Sequence, residues 1–183
     1  MKSIFEYINT KTKSNIIYAS NDNLREIIHE EITRLGDNAD LNHIDVSKVT
    51  DFSYLFDDWK TNYNNKGIKL NPDISKWNTS KATTMSAMFR NCFKFNCDIS
   101  NWDVSKVENF SAMFVGCWDF NQDLSKWDIR SAKHVDSMFV ECKKLNCDLS
   151  NWDISKVESQ EYMFSDCPIK SLKNKLPKGS RYK

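Results

Sequence analysis

The sequence is poor in the two residues that usually mark loops, with four glycines and three prolines in 183 residues. This scarcity excludes collagen-like and Gly/Pro-rich low-complexity chains. No stretch approaches the roughly 18 apolar residues of a membrane-spanning helix. The opening MKSIFEYINTKTKSN also lacks the apolar core and small-residue cleavage site of a secretory signal. We therefore expect no membrane insertion and a cytoplasmic or virion-associated protein.

An excess of charge of one sign is also missing, since the formal net charge is +1. A near-neutral chain lacks the basic field that attracts proteins to nucleic acid. The sequence has no Cys-x-x-Cys pair and no glycine-rich phosphate loop, and its three histidines fit no catalytic triad. We predict a protein that is not an enzyme, needs no cofactor or metal, and binds no nucleic acid.

What the sequence does have is an internal repeat with a period of 25 residues. NWDVSKVENFSAMFVGC from Asn101 and NWDISKVESQEYMFSDC from Asn151 are near copies, with KWDIRSAKHVDSMFVEC from Lys126 between them. An earlier, degraded copy begins at Asp40 and carries an eight-residue insertion near 61–69. Five columns of identical residues define the repeat. They are Trp77, Trp102, Trp127 and Trp152; Asn71, Asn96, Asn121 and Asn146; Cys92, Cys117, Cys142 and Cys167; Phe89, Phe114, Phe139 and Phe164; and Asp73, Asp98, Asp123 and Asp148.

Each repeat unit divides into two halves with different apolar spacing. In the second half the apolar spacing of 3, 3, 1 and 3 predicts one face of a helix, formed by Val107, Phe110, Met113, Phe114 and Cys117. Ser105 and Glu108 have the spacing of a capping box at its start. The first half predicts a short strand at 127–129, preceded by a turn in which the Asn column satisfies backbone groups.

Stacked units of this kind predict an α/β repeat fold. We expect a short right-handed solenoid of the leucine-rich-repeat type, with about five strand–helix units, parallel strands on the concave side and an N-terminal capping helix. The predicted boundaries are an extension at 1–20, the capping helix at 21–39, a C-terminal cap and basic tail at 168–183, and between them repeats at 40–72, 73–97, 98–122, 123–147 and 148–167. Leu24, Ile27, Ile28, Ile32 and Leu35 form the apolar face of the capping helix, which Gly36 ends.

The repeat also resembles a known family. FNQDLSKWDI and SKVENFSAMFVGC resemble the 25-residue repeat of the BspA-like leucine-rich repeat surface proteins, over about 40–167. That repeat is also found in Mycoplasma lipoproteins and in bacterial, phage and giant-virus genomes. LREIIHEEITRLGDNADLNHIDVSKVTDFSYLF resembles the start of small repeat proteins of gut Bacteroidales and their phages. The resemblance implies a binding or adhesion protein without catalytic residues, whose relatives are often at the cell surface.

A second aspartate column is a candidate binding row on the inner strand face. It consists of Asp45, Asp103, Asp128 and Asp153, with Asn78 in the remaining position and Lys126 close enough to offset the repulsion. Three interpretations stay open: the carboxylates cap the adjacent helix or are simply solvated, they bind a basic partner, or they bind calcium.

Exposed aromatic residues are the other candidates for a binding surface. Phe93 and Trp118 occupy a column that also holds Lys143, so they either form a solvent-facing patch or fold over the core. Tyr63 lies in the insertion, which is either functional or neutral. The cysteine column is expected to fill the core as free thiols, with a Cys92–Cys97 disulfide as the alternative.

Together these features predict a non-enzymatic module that binds a macromolecule, expected to be a protein, through the concave face or the Phe93/Trp118 edge. The alternative is a structural or virion-associated component. It would dock into a larger assembly through residues 1–15 or through the tail, which carries six basic residues and no acidic residue after Ile169. That tail either contacts an acidic partner or is solvated.

Overall fold

The computed structural model describes residues 16–57 and 69–182, and these contain little regular secondary structure. Strand β1 is Ile17–Tyr18, helix α1 is Leu24–Leu35, and strand β2 is Ile44–Asp45. Two short 3-10 helices follow near the C-terminus, at Pro168–Ser171 and Lys173–Lys175. Strands β1 and β2 pair in parallel, with Ile17 opposite Ile44.

The predicted fold of five strand–helix units is wrong. Within the described residues α1 is the single α-helix, and the segment that begins at Ser105 runs as consecutive turns. Met113 N–H donates to Phe110 C=O at 3.1 Å, and Ala112 between them has a φ of 57°. A positive φ at the third residue is what a type II turn requires. Gly116, with a φ of 71°, repeats this arrangement one turn later.

The backbone N–H groups that a helix would use internally are instead donated to the next unit. Phe110 N–H donates to His134 C=O at 2.9 Å, and Phe114 N–H donates to Met138 C=O at 2.9 Å. Every second N–H group thus donates to the next unit and not within its own unit. The apolar spacing of 3, 3, 1 and 3 therefore marks turn residues that face the core, and not one face of a helix. Ser105 and Glu108 consequently have no helix to cap.

Among the described repeats only the first keeps a strand, β2, and from residue 73 to 167 the pairing is limited to isolated parallel bridges. Most of these bridges lie in the half of the unit that was predicted to be helical, where they join Thr84 to Asn109, Asn109 to His134, and His134 to Ser159. Units therefore stack in register along the 25-residue period, but through turns and not through a sheet of strands.

The core between stacked units is a continuous column of aromatic rings. Phe89, Phe114, Phe139 and Phe164 are fully buried. Their ring centroids are 5.6 to 5.7 Å apart from one unit to the next, with interplanar angles of 11° or less. Such offset-stacked rings bury large apolar surfaces without leaving voids.

The Trp and Cys columns add hydrogen bonds to this packing. Trp127 is 4% exposed, and its Nε1–H donates to the carbonyl of Ile99 in the preceding unit at 3.0 Å. Trp77, Trp102 and Trp152 make the equivalent bond. The thiol of Cys117 donates to Phe89 C=O at 3.0 Å. Ile99 C=O and Phe89 C=O also accept from the backbone N–H groups of Trp102 and Cys92, so each side chain adds a second hydrogen bond to a carbonyl that already closes a turn.

The Asn column forms a ladder on the outside of the turns. Asn121 N–H donates to Asn96 Oδ1 at 2.9 Å, and Asn121 Oδ1 accepts from Asn146 N–H at 2.8 Å. The same bond joins Asn96 to Asn71. Each asparagine therefore bridges two units with one donor and one acceptor.

The N-terminal end of the stack is closed by α1, in the region where a capping helix was predicted. Its apolar residues Leu24, Ile27, Ile28 and Ile32 are buried. Glu31 is also buried, and it is paired with Arg34 at 2.5 Å and with His43 at 2.9 Å. Burying a carboxylate would be costly without such partners.

The C-terminal end is closed by the segment that was predicted to form a C-terminal cap and basic tail. Lys178 N–H donates to Trp152 C=O at 2.8 Å, and Ile154 N–H donates to Lys178 C=O at 2.9 Å. The ring of Tyr182 packs edge-on against Phe164, with centroids 5.8 Å apart. The segment therefore covers the last unit, while the charged side chains of Lys178 and Arg181 remain mostly exposed.

Candidate interaction surface

The predicted row of aspartates is engaged in local turns. Asp103 Oδ1 accepts from the backbone N–H of Ser105 at 3.0 Å and from its hydroxyl at 2.7 Å. Asp45 and Asp153 accept from the N–H two residues on in the same way, and Asp128 accepts from Arg130. These are Asx-turns, so the carboxylates cap turns and not helices.

Hydrogen bonding keeps these carboxylates ionised. The Ser105 hydroxyl, and then its backbone N–H, lower the pKa of Asp103. The equivalent bonds from Ser155, followed by Lys178, lower the pKa of Asp153 to about 2. A carboxylate that accepts several hydrogen bonds is stabilised in its charged form.

Cations close to the row reduce its negative field. After the hydrogen bonds from Ser47 and Ser105, the charges of Lys48 and Lys106 also lower the pKa of Asp45 and Asp103, and Arg130 forms a bidentate pair with Asp128. Lys126 acts instead on Asp98 and Asp123 of the other aspartate column, after the hydrogen bonds from Ser100 and Ser125. A column of exposed lysines lies three residues beyond Asp45, Asn78, Asp103 and Asp153, and consists of Lys48, Lys81, Lys106 and Lys156. Within the described residues no group of three or more His, Cys, Asp or Glu side chains is arranged to hold a metal ion. The row is thus a locally satisfied surface of mixed charge.

Phe93 and Trp118 form an exposed aromatic pair, which we call the Phe93–Trp118 edge. Their ring centroids are 4.1 Å apart and the planes differ by 8°. Trp118 remains 42% exposed, while Phe93 is half-buried. Trp118 Nε1–H donates to Glu141 Oε2 at 3.3 Å, which fixes the orientation of the indole. The two rings therefore stack on each other at the surface and do not fold over the core.

An ion-pair network that the sequence analysis missed lies directly beside this pair. The carboxylate of Asp119 contacts Lys94 Nζ at 2.8 Å and Lys144 Nζ at 2.6 Å. Both lysines lower the pKa of Asp119, the Lys144 hydrogen bond being the larger cause. The sequence did hold a signal, because positions 94, 119 and 144 form a Lys-Asp-Lys column at the repeat period.

Exposed tyrosines at a different column were also missed. Tyr54 is 46% exposed and Tyr162 is 66% exposed, and both have a φ of 57°. They occupy the column that holds Ala87, Ala112 and Ser137, each with positive φ. Tyr54 and Tyr162 lie in the first and last units, so they do not form one patch. Tyr63 lies outside the described residues.

The cysteines are free thiols, so the alternative of a Cys92–Cys97 disulfide is wrong. Burial raises the pKa of Cys117 and Cys142 well above the ordinary value, and it raises the pKa of Cys97 to about 11. A thiol with a raised pKa is a poor nucleophile and a poor metal ligand. The cysteines contribute packing and hydrogen bonds.

Comparison with known families agrees with the extent of the repeat. Residues 59–176, well over half of the chain, match the family described as Mycoplasma protein of unknown function, DUF285. The chain belongs to the DUF285 family. No curated protein and no solved structure gives a significant match.

The DUF285 match includes the Phe93–Trp118 edge and all four residues of the Trp column, and it leaves out β1, α1 and β2. The family description names no activity, ligand or partner. No helix in the described parts of this DUF285 chain is long and apolar enough to cross a membrane.

Proposed function

We propose that this chain is a non-enzymatic interaction module that binds a protein partner through the Phe93–Trp118 edge. The observation that carries the proposal is the stacked, solvent-facing ring pair at 4.1 Å, held by hydrogen bonds and ion pairs from neighbouring units. Tryptophan is among the residues most enriched at the energetic centres of protein interfaces.

Rigidity of the edge favours this function. Asp119 N–H donates to Phe93 C=O at 3.1 Å, and Lys144 N–H donates to Trp118 C=O at 3.2 Å, so the backbone of three consecutive units is joined here. A surface ordered in advance loses little conformational entropy on binding. The aspartate row is a weaker candidate for binding a partner, because its carboxylates are already hydrogen-bonded and have cations beside them.

The alternative of docking through the basic tail has less support. Lys175 Nζ donates to the side chain and main chain of Asn146, Lys178 Nζ lies 3.3 Å from Asp153, and Arg181 pairs with Glu161. These cations are used to fasten the C-terminal segment to the last units. We therefore do not assign the partner to the tail.

The test is affinity capture from a lysate of the source organism with the wild-type chain and two matched variants. Trp118→Lys introduces lysine, the residue that the next unit has at the equivalent position, Lys143. We therefore expect the fold to tolerate this substitution. Tyr162→Ser removes a ring that is more exposed than Trp118 and lies in the last unit, and it reproduces Ser137 of its own column.

We expect at least one protein to be captured by the wild-type chain and by Tyr162→Ser, and to be lost from Trp118→Lys by quantitative mass spectrometry. A set of captured proteins that is the same for wild type and Trp118→Lys would overturn the proposal. Unchanged circular dichroism and urea midpoints would show that both variants are folded.

A further inference from the structure

We propose that the partner segment recognised at the Phe93–Trp118 edge is acidic, with an apolar side chain next to one or more carboxylates. This inference rests on the proposed function, and it adds the chemistry of the occupant. It follows from which groups at the edge already have partners and which do not.

The apolar part of the occupant is required by the exposed indole. Phe93 covers one face of Trp118, at a centroid distance of 4.1 Å, and the ring is nevertheless 42% exposed. In the next unit the same column holds Lys143 and not a third ring. An apolar side chain placed on Trp118 would therefore extend the stack by one member and lie beside Lys143.

The carboxylates of the edge are already engaged. Asp119 accepts from Lys94 and Lys144 together, and its side chain is 22% exposed. Glu141 accepts from the indole N–H of Trp118. An incoming cation would have to displace these contacts, which makes a basic segment a poor occupant.

The cations of the edge are in excess. Lys94, Lys143 and Lys144 outnumber Asp119 and Glu141 by three to two, and Lys143 is exposed with no ion pair or hydrogen bond among the described residues. Lys143 is thus available to an incoming carboxylate, while Lys94 and Lys144 flank the site.

The chain as a whole has a formal net charge of only +1, with 26 basic and 25 acidic residues, so no strong field of either sign surrounds this edge. A local excess of lysine on a near-neutral chain favours the approach of an acidic partner at this place.

The experiment uses three short fluorescein-labelled peptides of equal length and measures binding to the full chain by fluorescence anisotropy. The acidic probe has a Trp-Leu core flanked by glutamates, the basic probe has the same core flanked by lysines, and the charge-only probe has glutamates around a Gly-Ser core. Chain variants are Trp118→Lys, Lys143→Glu, and Lys156→Glu as a control at an exposed lysine far from the edge in sequence and without a described ion pair.

We expect the acidic probe to bind at least about tenfold more tightly than either other probe, a difference of about 1.4 kcal/mol. Trp118→Lys should abolish this preference by removing the ring, and Lys143→Glu should shift it toward the basic probe. Lys156→Glu should leave the preference unchanged. Binding should weaken at about 0.15 M salt relative to low salt.

Two results would overturn the inference. If the basic probe binds as well as the acidic probe and is still lost in Trp118→Lys, the edge is a binding surface but its occupant is not acidic. If the acidic probe does not bind, or binds equally to Trp118→Lys, the acidic occupant is excluded. The capture experiment then decides separately whether the edge binds a protein at all.

Discussion

Replacing Trp127 with alanine should be among the most damaging single changes in the chain. The indole is 4% exposed, lies 6.4 Å from the ring of Trp152 and is packed against Phe110 and Phe114. A buried aromatic side chain removes on the order of 200 Å² from water. At about 25 cal/mol per Å² this corresponds to about 5 kcal/mol, part of which alanine would retain.

A second contribution comes from the hydrogen bond between Trp127 Nε1 and Ile99 C=O, 3.0 Å long. That carbonyl keeps its hydrogen bond from Trp102 N–H, 3.2 Å long, so losing the indole donor costs about 0.5–1.5 kcal/mol. Because neighbouring side chains relax into part of the cavity, we expect a total loss of about 3–5 kcal/mol in the free energy of unfolding.

The assay is urea denaturation followed by both tryptophan fluorescence and circular dichroism, since coincident transitions are needed to treat unfolding as two-state. Trp118→Ala is the matched control. It removes the same side chain from a position that is 42% exposed, and because the ring still packs on Phe93 it should cost about 1–2 kcal/mol, clearly less than Trp127→Ala. A loss below about 1 kcal/mol for Trp127→Ala, or equal losses for both variants, would refute the view that the Trp column is the buried link between units.

Two further predictions concern turns. Asp103→Asn should keep the Asx-turn, as Asn78 does in its own unit with a 3.1 Å bond, but it should remove a carboxyl whose pKa is lowered by Ser105. The stability that the wild-type chain gains from this ionised group is present above the unfolded-state pKa of about 4. It is lost as the pH falls through the pKa that the group has in the folded protein. The difference in urea midpoint between wild type and variant should therefore shrink as the pH is lowered. A difference that does not change with pH would contradict a stabilising role for the ionised Asp103. Gly179→Ala should lower the melting temperature, because its Cβ would lie 2.5 Å from Ser155 Cα, whereas Gly36→Ala, also at positive φ, meets no atom within 4 Å. Equal melting temperatures for these two variants would show that the close approach of the C-terminal segment is not formed.

The repeat period and the burial of its columns could be predicted from the sequence, because identical residues at a fixed spacing must occupy equivalent environments. Trp127 and Phe114 are buried, and α1 lies where its apolar spacing placed it. The local structure of each unit could not be predicted in the same way. The spacing of Phe110, Met113 and Phe114 suits a helix and also suits successive turns, and what decides between them is a carbonyl 24 residues away.

The candidate surface could also be predicted from the sequence only in part. Phe93 and Trp118 were identifiable because their column also accepts lysine, which marks it as solvent-facing. The bonds to Asp119 were missed because each residue was weighed within its own unit, although charge alternation along the column was visible. In a stacked repeat, residues that lie one period apart in the sequence are neighbours in space. They predict contacts as well as residues that are adjacent along the chain.

The ladder of alternate N–H donors has a consequence for how such chains change in length. Each internal unit receives hydrogen bonds from the unit before it and donates an equivalent set to the unit after it, as Phe110 does to His134 and Val135 to Ser159. An in-frame duplication or loss of one unit therefore leaves every junction with the same complement of bonds, and only the two terminal closures must be preserved. Point insertions have no such freedom, since a shift of one residue would misalign the rings, the asparagines and the indole donors of all units at once.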